Sequence, residues 1–294
     1  MHQEAPKRPD REPPHEREED RRNGTVPSEE QRAELRNRTL ARGAVAAAED
    51  VLLERYRLAS PQEAFALLRA ASQRHNVKLH TLADAVVRVP GPAPGAQVWF
   101  PGRARNVPPP LPWRIDGDGQ VKLPAVLRGA LHRVLEITGT DMGNVQLAEG
   151  GVLRMAAHTG LDRQFTDYFA FVEGPTTSCA HAARERRQVT VREVGTEELF
   201  DEDSRRVILR AGSRACHSVP LVSPLGALVG MVSSHHSRPL AGPSPGQLGA
   251  LQETGTAVGR WLSWYRRTTV LDALEHLHAG ATGAPAPERP APGR

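Results

Sequence analysis

Between residues 90 and 119 the chain reads PGPAPGAQVWFPGRARNVPPPLPWRIDGDG, and no long helix or central strand can run through it. Proline fixes its own φ and lacks a backbone donor, so it ends helices and is kept out of sheet interiors. A chain of 294 residues with such a break reads as two domains, one on either side of it. The break itself, residues 90–120, reads as a linker with extended polyproline character around Pro108 to Pro112. Trp99, Phe100 and Trp113 within it carry enough apolar surface to dock on a neighbouring unit, and the sequence leaves open whether they do.

Residues 1–30 mix both charge signs with proline and almost no large apolar side chains. Such a segment cannot bury enough surface to offset its ordering entropy, so a disordered tail is expected there. It has no apolar core of the kind a signal peptide needs, and no run of about 18 apolar residues occurs anywhere. A cytoplasmic protein without a membrane span is the expectation. Two cysteines, Cys179 and Cys216, make neither a disulfide framework nor a zinc site.

Residues 31–89 read as three helices. The first, from Glu30 to Tyr56, is rich in Ala, Leu, Arg and Glu, with Leu40, Ala44, Ala47, Ala48, Val51 and Leu52 in one stripe. Ser60-Pro61-Gln62-Glu63 restarts a helix by two rules: Ser60 as N-cap with Glu63 completing a capping box, and Pro61 at the first helical position. Ala64, Phe65, Leu68 and Ala71 are expected to face the first helix. A third helix, from Lys78 to Val87, is expected to bury Leu79, Leu82, Ala83 and Val86. The overall charge of +4 is mild, but residues 32–88 carry ten basic against six acidic side chains. The basic excess thus sits with the helices.

From 121 to 268 the reading is α+β: an amphipathic helix with Leu123, Val126, Leu127, Ala130, Leu131, Val134 and Leu135 inward, then antiparallel strands alternating with helices. GNVQLAE and GVLRMAAHT form a hairpin across Glu149-Gly150-Gly151, and HSVPLVS with GALVGMVSSHH form another around Pro224-Leu225-Gly226. A last helix spans Ser244 to Arg267. Residues 269–294 return to Ala, Pro, Gly and Arg and are expected to be a second disordered tail.

Two resemblances follow from these residues. AVAAAEDVLLERYRLASPQEAFALLRAASQRHNVKLHTLADAVV resembles the ANTAR domain, a three-helix RNA-binding module of bacterial antitermination regulators. It rests on Ala48, Tyr56, Ala64-Phe65, Leu68-Arg69, Ser72, Asn76, Leu79 and Ala83 in that order. The resemblance implies binding to paired leader-RNA hairpins, which prevents terminator formation, and a homodimer formed through the long helix. Arg55, Arg69, Arg74, Asn76 and Lys78 are the candidate RNA contacts, as cations for phosphate and an amide for unpaired bases. Asn76, at a helix junction, suits a helix cap equally. The family commonly places a basic residue and a glycine after the alanine; this chain has Ala48-Glu49-Asp50, two charges that would repel phosphate.

The second unit resembles a GAF domain of the bacterial signalling type, through Gly143-Asn144-Val145-Gln146, Ser178-Cys179-Ala180, Ser218-Val219-Pro220-Leu221-Val222 and Gly230 to His236. Such domains bind cyclic nucleotides, haem or small metabolites. The implied role is sensing a small molecule or a partner, and no cofactor is identified.

Other constellations point away from chemistry. His235 and His236 are adjacent on a strand and face opposite ways, so at most one of them could join a common metal centre with another histidine such as His217 or His158. Cys179 fits a small core residue better than a redox sensor. No nucleophile elbow, phosphate-binding glycine loop or triad occurs, and nothing argues for an enzyme. The expected function is therefore a signal-responsive RNA-binding antitermination regulator. The alternative is a sensory or interaction module whose helices only dimerise.

Overall fold

The computed structural model describes residues 29–115, 121–173 and 177–284. The expected tail therefore lies almost wholly outside the described residues. Three helices come first: α1 (Glu29–Tyr56), α2 (Pro61–His75) and α3 (Leu79–Arg88). The restart between α1 and α2 follows the expected chemistry. Ser60 Oγ accepts from the Glu63 amide at 3.3 Å and Pro61 occupies the first turn, while the Glu63 carboxylate takes the Ala59 amide at 3.0 Å. Ala48 and Leu52 of α1, Ala64, Leu68 and Ala71 of α2, and Leu82, Ala83 and Val86 of α3 are wholly shielded.

Three expectations for this module are corrected. Phe65 is 38 % exposed, because the core side of α2 is the Ala64–Leu68–Ala71 stripe and residue 65 stands about 100° round from it. Ala47 is exposed on α1 for the same reason, and Leu79, at the first turn of α3, is only half-buried.

The second unit has α4 (Leu123–Thr138), β1 (Met142–Glu149), β2 (Val152–Thr159), α5 (Arg163–Tyr168), β3 (Phe171–Val172), α6 (Ser178–Glu185), β4 (Val189–Val191), α7 (Glu202–Arg210), β5 (Ala215–Val222), β6 (Leu228–His236) and α8 (Pro245–Arg267). The six strands form one antiparallel sheet in the order β3-β2-β1-β6-β5-β4. Gly150 and Gly151 both take positive φ, 58° and 82°, which closes the β1–β2 turn in two residues. Helices α4 and α8 cover one face of the sheet, while Phe165, Phe169, Ala182, Val207, Ile208 and Met231 fill the other. Close approach of α8 to β5 depends on missing side chains: a Cβ on Gly259 would stand 2.1 Å from the Val222 carbonyl oxygen. Ser244 and Gln247 cap α8 reciprocally.

The expected second tail is overturned over half its length. A further helix, α9 (Thr269–Thr282), packs on α2, α3 and α8 and buries Val270, Ala273, Leu274 and Leu277. Its LDALEHLH core has helical apolar spacing, which the Ala/Pro/Gly composition around it masks. The core of the first three helices is thereby continuous with the α4–α8 side of the sheet.

The linker also docks. Trp99 is buried, and the backbone N–H groups of Trp99 and Phe100 both donate to the buried Glu275 carboxylate on α9, at 3.1 and 2.8 Å. Trp99 Nε1–H donates to the Pro90 carbonyl at 2.8 Å. Trp113 lies against Gly129 of α4, where a Cβ would meet its indole nitrogen at 2.3 Å. The proline-rich stretch is therefore a strap over the junction of the two units.

Candidate nucleic-acid interface

The α2–α3 junction is built by a left-handed turn. Asn76 sits at φ 51°, ψ 39°, ending α2, and Val77 N–H reaches back to the Ser72 carbonyl at 3.0 Å while Ser72 Oγ–H donates to the Val77 carbonyl at 2.7 Å. Asparagine tolerates this conformation better than most residues, so its backbone does serve as a cap. Its side chain stays exposed, as do Arg69, Arg74 and Lys78. The last turns of α2 and the entry to α3 thus carry three exposed cations and an exposed amide. Phe65 stands one helical turn before Arg69 on α2, adding an exposed aromatic ring beside that cation. Sequence periodicity places Phe65 in the core; only the position of the α2 stripe reveals that its ring faces solvent.

Arg55 does not join this group. Its guanidinium lies over the Trp99 ring at 4.9 Å, its Nη2 donates to the Val86 carbonyl at 3.5 Å, and Gly91 leaves room for it. It braces the strap against α1 and α3, a role that depends on a linker docking the sequence left open. Asp50 is exposed and Glu49 half-buried on α1. Asp50 stands about 200° round the helix from Ala48, on the side away from α2 and α3. Its charge therefore does not fall among Arg69, Arg74 and Lys78.

The same α3 is fastened to the sheet by a buried polar cluster. Thr81 Oγ1–H donates to Glu149 Oε1 at 2.6 Å, Arg154 Nε–H donates to Glu149 Oε2 at 2.8 Å, and Asp84 Oδ1 accepts the Gly150 amide at 2.8 Å. Asp84 is also paired with Arg88. Burial raises the Glu149 carboxyl, but the charge and hydrogen bond of Arg154, with His80 and Thr81, outweigh it and hold the group below its usual range. His80, 3.4 Å from Glu149, is pushed down to about 4 by burial and then by the Arg154 charge, so it is neutral at pH 7. Nδ1 of His80 is therefore a polar neighbour of Glu149 and not an ion-pair partner. Nothing in the sequence links Thr81 or Asp84 to the tip of a hairpin some 65 residues away.

Inside the sheet domain the conspicuous polar groups are satisfied by one another. His235 bonds Ser213 Oγ at 3.0 Å and Asn144 Oδ1 at 3.1 Å, and His217 bonds Thr190 Oγ1 at 2.7 Å and Gln188 Oε1 at 2.9 Å. No metal-holding group of histidines, cysteines and carboxylates occurs among the described residues. Cys179 is buried and bonded to Ser233 Oγ at 3.1 Å, and burial pushes the Cys216 thiol up to about 12. Gln146, also buried, donates to the Phe169 carbonyl at 3.4 Å while its Oε1 has no partner. No described helix is long and apolar enough to cross a membrane.

Comparison with known proteins agrees with this architecture. The ANTAR domain family model matches residues 33–87 and the GAF domain family model matches residues 122–260. No curated protein matches the chain. Solved structures similar to it include a domain of a two-component sensor histidine kinase from Sinorhizobium meliloti 1021 (18 % identity, 48 % of this chain and 90 % of that one, TM-score 0.41). A GAF domain/HD domain protein from Geobacter sulfurreducens is similar at 15 % identity, over 48 % of this chain and 91 % of that one, with TM-score 0.42. A type II free methionine-R-sulfoxide reductase from Thermoplasma acidophilum is similar at 15 % identity, over 48 % and 90 %, with TM-score 0.38. The chain therefore joins an ANTAR domain to a GAF domain that follows it.

Proposed function

We propose that this protein is a signal-responsive antitermination regulator rather than an enzyme, binding hairpins of leader RNA through the α2–α3 junction. The observation that carries this reading is the exposure of Phe65, Arg69, Arg74, Asn76 and Lys78 directly before a helix that is hydrogen-bonded to the GAF sheet through Thr81 and Asp84. Cations hold phosphate, the ring stacks a looped-out base, and the amide reads a base edge. A change at the β1–β2 tip would move α3 relative to α2 and alter the spacing of these groups. A signal favouring one arrangement would then shift RNA affinity by its differential binding. The GAF domain supplies the sensing role, for a small molecule or a protein partner in the cytoplasm. Dimerisation through α1 would set two such surfaces side by side, and Leu35, 67 % exposed on α1, is available for it.

A mobility-shift assay of the full chain tests this, comparing an RNA of two adjacent stem-loops with an unstructured RNA of equal length. Preference for the paired hairpins is expected; equal affinity for both would overturn the reading. The acidic Glu49-Asp50 pair favours a second reading, in which the helices dimerise without binding RNA. Replacing the pair by Lys-Gly separates the two: a gain of RNA affinity at unchanged oligomeric state means the scaffold is competent and the native pair tunes it down.

A further inference from the structure

The two halves of α1 are held by different means. From Val45 onward its inward side chains pack into the core of the first three helices, whereas Ala33, Leu40 and Ala44 belong to neither apolar core. The N-terminal half is seated on the sensor domain by polar contacts to α5. Asn37 Nδ2–H donates to the Asp167 carbonyl at 2.6 Å, and the Arg36 guanidinium donates to the Tyr168 carbonyl and stands 5.4 Å from the Tyr168 ring centre. Those carbonyls are the last two of α5 and have no partner within their own helix, so α1 caps it.

The seat is incomplete. Arg36 Nε and Asn37 Oδ1 are shielded from water and have no hydrogen-bond partner. A shielded polar atom left unpaired works against the contact that shields it. An open cleft of about 980 Å³ lies beside these bonds between α1 and α5. Gly43, with nothing within 4 Å of an added carbon, marks where α1 passes from the helical core to this seat.

The face of α1 that carries Asn37 has a second pattern. Ala33, Asn37, Leu40, Ala44, Ala47 and Val51 follow one another at alternating steps of four and three, the a and d positions of a heptad seam. Asn37 falls at an a position, with Ala44 and Val51. An asparagine at a single a position sets register and oligomeric state in a coiled coil, because it meets its own copy across the seam. In this structure α5 takes Asn37 instead, while Ala47, farther along the same seam, is exposed.

We propose that the α1–α5 contact is an autoinhibitory clasp, which engages with α5 the seam through which α1 pairs with a second copy of this chain. Release exchanges the Asn37–Asp167 bond for an Asn37–Asn37 pair and gives Leu40 an apolar partner. The clasp rests on the reading above that α1 dimerises, and it adds the face, the register and the contact that holds the dimer back. A signal that moves α5 then changes the oligomeric state and, with it, the placing of two RNA surfaces.

Sedimentation velocity of the full chain tests it. Tyr168→Ala opens the clasp from the sensor side and Arg36→Ala from the α1 side, and neither residue is at an a or d position. Each variant should dimerise with a Kd about tenfold or more below that of the unchanged chain, while thermal unfolding stays cooperative. Adding Leu40→Glu to either should restore the monomer. Disulfide crosslinking reads the register: Ala44→Cys, at an a position, should link two chains faster in the Tyr168→Ala background than alone. Arg42→Cys, on the outer side of the helix, should not link them. An unchanged Kd in both clasp variants, equal Ala44→Cys crosslinking with and without Tyr168→Ala, or crosslinking through Arg42→Cys instead would overturn the clasp. Mobility shifts on the same variants keep the two claims apart. Hairpin binding with unchanged dimerisation overturns the clasp alone, and clasp-controlled dimerisation without hairpin binding overturns the antitermination reading alone.

Discussion

The Thr81 hydroxyl on α3 lies 2.6 Å from Glu149 Oε1 at the end of β1, and both side chains are buried. Together with the Asp84–Gly150 bond, it joins the first three helices to the β1–β2 hairpin just after the α2–α3 junction. Thr81→Val keeps the shape and removes the donor. It should cost about 1–2 kcal/mol, because the Glu149 oxygen loses a partner where water does not readily replace it. Urea unfolding of Thr81→Val, Glu149→Gln and the double variant measures the coupling. Strict additivity within about 0.3 kcal/mol would mean the pair does not act as a latch.

Acid should loosen the molecule before its carboxylates protonate. His235 is held down at about 3 by burial and then by the His236 charge, and His217 at about 4 by the same two causes. His80 is held at about 4 by burial, Arg154 and Lys78, against Glu149 and Asp84. All three lie below the ordinary histidine value, so the unfolded chain takes up protons that the folded chain refuses. Stability is therefore full above about pH 6.5 and falls as the pH drops toward 4, by on the order of 1–2 kcal/mol per histidine at pH 5. Glu149 is depressed instead, so its contribution persists until the pH falls through its folded value. Tm measured at pH 7.5 and 5.0 should differ by several degrees, and His235→Gln should shrink the difference. A flat profile would show that these histidines accept protons in place.

Two glycines in helices should respond in opposite directions to alanine. Gly259 of α8 is in contact with the β5 backbone, and a methyl group there would force helix and sheet apart. Gly259→Ala should destabilise by about 1–3 kcal/mol or more, in the range of overpacked cores. Gly43, on the exposed stretch of α1, has nothing within 4 Å of the added carbon. Gly43→Ala should stabilise by about 0.5–1 kcal/mol through helix propensity. Thermal unfolding of both decides it, and a loss for Gly43→Ala would mean that this face of α1 is already occupied.

How far the sequence carried the fold depends on the range of the interactions involved. The Ser60 cap, the Gly150–Gly151 turn and the stripes of α2, α4 and α8 are local, and local chemistry encodes them. Phe65 was misplaced because helix periodicity gives a stripe but not its centre; a ring at its edge reads the same as one inside. Helix α9 was hidden because its apolar spacing spans only two or three turns between alanine-rich and proline-rich neighbours. The packing of Arg55 on Trp99 is invisible in sequence because Trp99 lies in a linker whose docking depends on Glu275, 175 residues or more away. The Thr81–Glu149 bond likewise needs two domains in register, which no motif records.

The candidate RNA contacts divide into two groups that mutation should separate. Arg69 and Lys78 are exposed at the α2–α3 junction, so Arg69→Ala and Lys78→Ala should leave unfolding nearly unchanged. Each should weaken hairpin-RNA binding and reduce the dependence of log affinity on log salt by up to about one unit per lost phosphate contact. Phe65→Ala should weaken binding too, by roughly 1–3 kcal/mol if a base stacks on the ring, with the salt slope unchanged. Arg55→Ala should behave in reverse: it removes the guanidinium over Trp99 and should lower stability by about 1 kcal/mol, with only an indirect effect on RNA. Affinities measured at four salt concentrations, beside urea unfolding of the same variants, resolve these cases. If Arg55→Ala lowers the salt slope as Lys78→Ala does, the strap opens when RNA binds, and the basic surface extends from the α2–α3 junction across to the end of α1.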